Sequence, residues 1–380
     1  MPATYGFLST YPPTRCGLAT FNAALATHLN TTGGGNGVVR LLAGDDDGGL
    51  AIDRAAPRVV HTWQTDTPGG WVAAANALNR FDVAIVQHEY GIYPGDAGAE
   101  VLPLLRALKK PKIVVLHTVL SNPDPLQRSV LERIAAAADA VVTMTDTARQ
   151  RLADGYQVDA RKISVIPHGA ASHTSAPRDR HEIPHLLTWG LLGPGKGIEW
   201  ALRALAELTD RDPAPAYTVA GRTHPKVLEQ HGDVYRESLV KLAADLGVTG
   251  HVRWADVYLD QAALSRLIRS ADVVVLPYDS TEQVTSGVLI EAVGAGVPVV
   301  ATEFPHAVEL LADGPGLLVP HQDPPAMAAA IRRLLADDST SRLAGLTGGP
   351  TLRWPAVAAR YQALAARLLT DRTPATSVPA

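Results

Sequence analysis

A single cysteine, Cys16, stands in 380 residues, so no internal disulfide can close. No charge sign dominates either. With 34 basic and 38 acidic residues the net charge is −4, which is neither the basic footprint of a nucleic-acid binder nor an acidic solvating tail. No apolar run approaches the roughly 18 residues of a membrane span, and no strongly basic amphipathic helix supports peripheral membrane association. The first residues lack the basic-then-apolar pattern of a signal peptide, and with the lone cysteine this sets the expectation of a reducing cytoplasm. What remains is ordinary α/β material, 46% hydrophobic, at a length that suggests about two domains.

The familiar nucleotide and metal signatures are missing too. The glycines between Thr31 and Gly37 precede the strand Val38–Leu42, whereas a dinucleotide fingerprint needs strand, glycines, then helix. The loop Gly190–Gly197 has Gly197 after Lys196, where a P-loop needs the Ser or Thr that binds magnesium. The acidic runs Asp45-Asp46-Asp47 and Asp210-Arg211-Asp212 sit among Gly and Pro and read as solvated loops, not metal clamps.

The most informative stretch runs from Thr285 to Val300: small polar residues, a helix, a glycine turn and a buried strand. Ser286 and Gly287 stand where the helix begins, so its free N–H groups and positive dipole end can face an anion. Glu291 is an acid within an otherwise apolar run, either a ligand for paired hydroxyls or a local cap. Upstream, strand Tyr5–Ser9 leads through a two-proline loop containing Arg15 to a helix from about Gly17, a second candidate anion site. Strands Val83–Val86 and Ile113–Leu116 deliver Gln87, His88, Glu89 and Tyr90, and His117, to one sheet edge, where open α/β sheets bind ligands. Each histidine is a site residue or a hydrogen-bonded structural one. After a polar, proline-flanked linker the pattern restarts at His185–Trp189, followed by the glycine loop with Lys196, a cation able to neutralise phosphate.

This order of pieces resembles the retaining glycosyltransferases of family 4, over nearly the whole chain. The specific parts are Gly193-Pro194-Gly195-Lys196-Gly197, the Gln283–Glu291 stretch with Gly294–Val300 behind it, and the Trp354 helix; Tyr11–Phe21, Gln87–Gly95 and Leu116–Pro123 resemble a bacterial, mannosyltransferase-like subset. The resemblance implies the GT-B fold, two facing Rossmann-like domains with the donor in the interdomain cleft. Residues 1–170 would be the acceptor domain, 171–184 the linker, 185–350 the nucleotide-sugar domain, 351–372 a helix returning to the N-terminal domain, and 373–380 a disordered tail. It further implies that Gly17 and Lys196 contact the donor diphosphate, Glu291 the ribose hydroxyls and His117 the transferred sugar. Arg15, His88, Glu89 and Tyr90 would line the acceptor side.

Two departures stand out. Gln283 occupies the place of the first glutamate of the family's E-x₇-E motif, and Leu191 that of a phosphate-binding arginine. An amide still hydrogen-bonds sugar hydroxyls but brings no negative charge. Arg222 is either the replacement cation or a surface ion-pair member. The expected activity is metal-independent, cofactor-free, retaining transfer of a hexose from a nucleoside diphosphate sugar to a hydroxyl acceptor. The rivals are a GT-B-fold epimerase or hydrolase and a non-catalytic sugar-nucleotide or glycan-binding protein. No residue around Trp254–Tyr258 discriminates guanine from uracil or adenine.

Overall fold

The computed structural model describes residues 2–29, 35–43, 57–171, 182–312, 314–336 and 349–372. Gly33 and Gly34 of the glycine turn, the acidic run at 45–47, most of the expected linker (172–181) and the expected tail (373–380) lie outside the described residues. The chain gathers into two compact units, residues 1–169 with 354–380, and residues 170–353.

The first unit holds strands β1 (Tyr5–Ser9), β2 (Gly37–Leu42), β3 (Arg58–Gln64), β4 (Val83–His88), β5 (Lys112–Leu116), β6 (Ala140–Thr143) and β7 (Ile163–Val165). They form one sheet in the order β3-β2-β1-β4-β5-β6-β7, parallel throughout. β1, β4 and β6 are buried along their whole length, which is why they are near-continuous apolar runs and not alternating ones. The helices are α1 (Gly17–Leu29), α2 (Trp71–Leu78), α3 (Val101–Ala107), α4 (Pro125–Ala137) and α5 (Asp146–Gly155).

The second unit holds β8 (His185–Trp189), β9 (Ala216–Ala220), β10 (Val252–Ala255), β11 (Val273–Leu276), β12 (Val299–Thr302) and β13 (Gly316–Val319). Its parallel sheet runs β10-β9-β8-β11-β12-β13. Helices α6 (Ile198–Ala206), α7 (Pro225–His231), α8 (Val234–Asp245), α9 (Gln261–Ser270), α10 (Gly287–Gly294), α11 (Pro305–Leu311) and α12 (Pro324–Ala336) complete it. Leu202, Leu205 and Ile331 pack on one face against Tyr217 and Val219. Leu289, Val293 and Phe304 pack on the other, against Leu187 and Val299.

The last helix, α13 (Trp354–Arg372), starts at Trp354 and not at 351, because Gly349–Leu352 form a 3₁₀ turn. It belongs to the first unit, where Trp354, Val357, Tyr361 and Leu364 pack beside Phe21 and Leu25 of α1 onto Ile85, Ile113 and Val115. The Trp354 indole lies so close to Gly169 that a Cβ there would stand 2.2 Å from it. In both sheets the chain order reverses between neighbours, β1 beside β4 and β8 beside β11. Loops leaving the C-terminal ends of such strands are the ligand edge of open α/β sheets. Among the described residues no helix is long and apolar enough to cross a membrane.

Candidate active site

In the second unit the loop after β8 brings Lys196 to the sheet edge. The loop is held by Leu192 N–H to Arg222 O at 2.8 Å, His224 N–H to Leu192 O at 2.8 Å, and Asp279 N–H to Gly195 O at 3.0 Å. Gly197 closes it at φ +62°, with its Cα pressed so close to the Pro277 carbonyl that a Cβ would lie 1.8 Å from that oxygen. The half-buried Lys196 ammonium sits 4.3 Å from the centroid of the Tyr278 ring, a cation–π contact, and has no carboxylate partner among the described residues. The nearby Asp279 carboxylate accepts instead from Trp200 Nε1, at 2.9 Å. Burial without a counter-charge holds the Lys196 pKa below its ordinary value of 10.5. Such a cation is stabilised by an anion brought to it.

The loop after β11 leads to α10. Ser286 caps this helix, its hydroxyl accepting from Leu289 N–H at 3.2 Å. Its own N–H donates to Nδ1 of the buried His306 at 2.7 Å, so the amides left for an anion are those of Gly287 and Val288, and Ser286 does not present its backbone as the motif alone suggests. His306 N–H also donates to Gln283 O at 3.2 Å, so one histidine on α11 fastens the loop at two points. Gln283 Nε2 turns back onto Thr285 O at 3.2 Å, leaving Oε1 with no partner among the described residues. Glu291, half-buried one turn further, accepts from Ala171 N–H at 3.3 Å on each oxygen. The Ala171 amide is 120 positions away in the chain, so this is a tertiary contact and not a local pair, and a carboxylate, with about four acceptor sites, can take hydroxyl donors beside it.

Arg222 is exposed and forms no ion pair among the described residues. The group that feels Lys196 is His224, whose pKa is lowered by burial and then by the charges of Lys226 and Lys196. His224 Nδ1 accepts from Lys226 N–H at 3.2 Å, which leaves Nε2 as its donor.

In the first unit, Gly17 opens α1 with nothing within 4 Å of where its Cβ would be, so the approach to this helix end is open. Arg15 is half-buried with Nε unpaired among the described residues. Glu89 accepts from Tyr90 N–H at 2.9 Å and from the Thr118 hydroxyl, and the Tyr90 phenol, its pKa raised by burial, bonds towards Gln127 O. His88 needs correction. β4 extends through it, and its pairing with Leu116 puts it on the opposite sheet face from His117, because side chains alternate. Its ring is fully buried against Tyr90, with both nitrogens unpaired among the described residues, so it presents no surface to an acceptor. His117 is half-buried, packed edge-on against Phe21 at 4.9 Å, with Nε2 2.8 Å from Gln87 Oε1.

Both histidines are held neutral. Burial lowers His88 from 6.5 to about 4; burial, then the charges of His168 and His88, lowers His117 to about 3. The unfolded chain therefore takes up protons below about pH 6.5 that the folded chain refuses, so stability falls with pH in that window. Acidification from pH 7 to 5 should cost about 4 kcal/mol from these two groups, read by urea unfolding. His88→Leu should remove about half of that slope, and an unchanged slope would mean His88 titrates normally.

Two family models match in succession, "Glycosyltransferase Family 4" over residues 16–172 and "Glycosyl transferases group 1" over residues 183–337. The chain belongs to glycosyltransferase family 4. A D-inositol 3-phosphate glycosyltransferase of Corynebacterium glutamicum is 31% identical over 264 residues, 64% of this chain and 61% of the relative. A GDP-mannose-dependent alpha-(1-6)-phosphatidylinositol monomannoside mannosyltransferase of Mycolicibacterium smegmatis is 30% identical over 266 residues, 65% of this chain and 66% of the relative. The chain thus spans less than two thirds of the length of these relatives. A glycosyltransferase from Rickettsia africae superposes with a TM-score of 0.75 at 15% identity, covering 97% of this chain and 99% of that one. Anabaena Alr3699/HepE, in complex with UDP and glucose, gives 0.69 at 15% identity, covering 97% and 98%. These likenesses show the fold, the two Rossmann-like units and long C-terminal helix of GT-B proteins.

As a family 4 chain it carries two site features that motif reading misses. His306 lies 20 positions after the amide it binds, and of two fully buried polar residues from separate elements, Asn22 bonds to Gln87 and Gln87 to His117. The Gln283 departure also gains a local cause. A glutamate there would set a carboxylate oxygen against Thr285 O, replacing attraction by repulsion. Gln283→Glu should cost about 1–3 kcal/mol in loop stability, read by melting; an unaltered melting temperature would mean that the Thr285 contact does not hold this loop.

Proposed function

We propose that this chain transfers a hexose from a nucleoside diphosphate sugar to a hydroxyl acceptor with retention at the anomeric carbon. The observation that carries the reading is Lys196: half-buried, without a counter-ion among the described residues, and in the second unit that also bears the open amides of α10. A diphosphate supplies the missing negative charge. When the bond from the anomeric carbon to the phosphate oxygen breaks, charge develops on the leaving diphosphate, and an ammonium and a helix N-terminus already in place stabilise it. Glu291 takes the ribose hydroxyls and Gln283 Oε1 a sugar hydroxyl, while Gly287 and the exposed Arg222 add to the phosphate side.

From the first unit, Gly17 acts on the diphosphate and His117 on the sugar, and Arg15, Glu89 and Tyr90 hold the acceptor. In the retaining step the acceptor oxygen bonds to the anomeric carbon on the face the phosphate leaves, and its proton passes to the departing phosphate oxygen. No carboxylate nucleophile is needed, so Gln283 is compatible with turnover. Among the described residues no group of three or more His, Cys, Asp or Glu is placed to hold a metal ion, and lysine with helix amides supplies the charge a metal would.

Thermal shift with GDP, UDP and ADP tests donor binding first. Transfer is then tested with the matching hexose donors, GDP-mannose first, and with inositol phosphate as the first acceptor, as the relatives' names suggest. Product stereochemistry by proton NMR decides retention. Nucleoside diphosphate release independent of any acceptor would make the protein a hydrolase, and no stabilisation by any diphosphate would overturn the donor assignment.

A further inference from the structure

Three side chains from three elements form a line that the reaction above leaves unexplained. Gln87 pairs in register with Val115, so its side chain shares the α1 face of the sheet with Ile85 and Val115. His117, two residues beyond Val115, faces the same way. There Gln87 Nε2 lies 3.4 Å from Asn22 Oδ1 of α1, and Gln87 Oε1 lies 2.8 Å from His117 Nε2. Tyr93 O–H bonds to the Gln87 main-chain oxygen at 2.5 Å and pins the strand end, and Phe21 fixes the plane of the His117 ring. Asn22 and Gln87 are both fully buried. Burying two amides costs free energy that apolar residues would avoid, so the line has a task.

The task follows from donor and acceptor rules. An amide oxygen only accepts, so the His117 nitrogen facing Gln87 Oε1 must carry the proton, and the other nitrogen must be a bare lone pair. His117 Nδ1 has no partner among the described residues. We propose that Gln87, oriented by Asn22, is the positioning residue that holds His117 as a neutral imidazole protonated on Nε2, so that Nδ1 meets the transferred sugar as a hydroxyl acceptor. This rests on the proposed reaction, in which His117 faces that sugar. The low His117 pKa agrees, lowered by burial first and then by the charges of His168 and His88.

The test reads the tautomer directly. In the 380-residue protein labelled with ¹⁵N-histidine, long-range proton–nitrogen correlation at pH 7 should show His117, assigned by its absence in His117→Ala, with a protonated Nε2 and a pyridine-type Nδ1. A protonated Nδ1 in the parent protein overturns the proposal. Asn22→Asp keeps the acceptor and should keep the tautomer. Gln87→Met, filling the same space without the amide, should give a tautomer mixture and lower kcat about 10–100-fold, with the affinity for nucleoside diphosphate unchanged. A retained pure tautomer in a folded Gln87→Met protein also overturns it. If the signature is found but no sugar is transferred to any acceptor, the reaction fails and the relay stands.

Discussion

Lys196→Ala is expected to lower kcat/KM for the donor by about 10²–10³, the loss of one charge-stabilising group worth about 2.7–4 kcal/mol in the transition state. The same variant should melt no lower than the parent. Lys196 sits half-buried over Tyr278 with no carboxylate among the described residues to offset its desolvation, so removing it relieves a cost in the free protein. Because its folded-state pKa is lowered, parent stability should rise as pH climbs through that pKa towards 10.5, and the variant should lose this alkaline rise. Calorimetry with nucleoside diphosphate and a pH series of melts separate the two effects. A loss below about tenfold with unchanged nucleotide affinity would take Lys196 out of the site.

Gly197→Ala should abolish donor binding by a different route. Its φ of +62° is costly for alanine, but the larger obstacle is the Pro277 oxygen 1.8 Å from the new Cβ. The chain must move, and it carries Lys196 on one side and the start of α6 on the other. A destabilisation of about 2–4 kcal/mol follows, with nucleotide affinity lost as the lysine leaves Tyr278. Here melting temperature and affinity fall together, whereas for Lys196→Ala only affinity falls. A folded Gly197→Ala protein that binds nucleotide normally would mean that the loop does not need this close approach.

Much of this was legible because parallel strands buried on both faces are apolar runs, and the residues after them occupy the ligand edge of the sheet. Lys196, Gly287 and Glu291 are all found by walking past the end of a strand. β3 was not legible, since an edge strand with half-exposed and exposed positions, Arg58 and His61 among them, carries no apolar run. His88 was misread for a related reason. Two histidines at one edge look equivalent until the register puts one beneath Tyr90 and the other beside Phe21.

The sequence by itself determined the buried strands, the restart of the α/β pattern after the linker and the glycine loop, because these follow from local periodicity and from backbone geometry that only glycine adopts. Tertiary structure alone decided what each site residue can do. His306 reaches the Ser286 amide across 20 positions, Gln87 reaches His117 across 30, and Asn22 reaches Gln87 across 65. Hydrogen-bond partners at such separations are chosen by strand register and helix packing, and neither periodicity nor spacing encodes which side chain will be there.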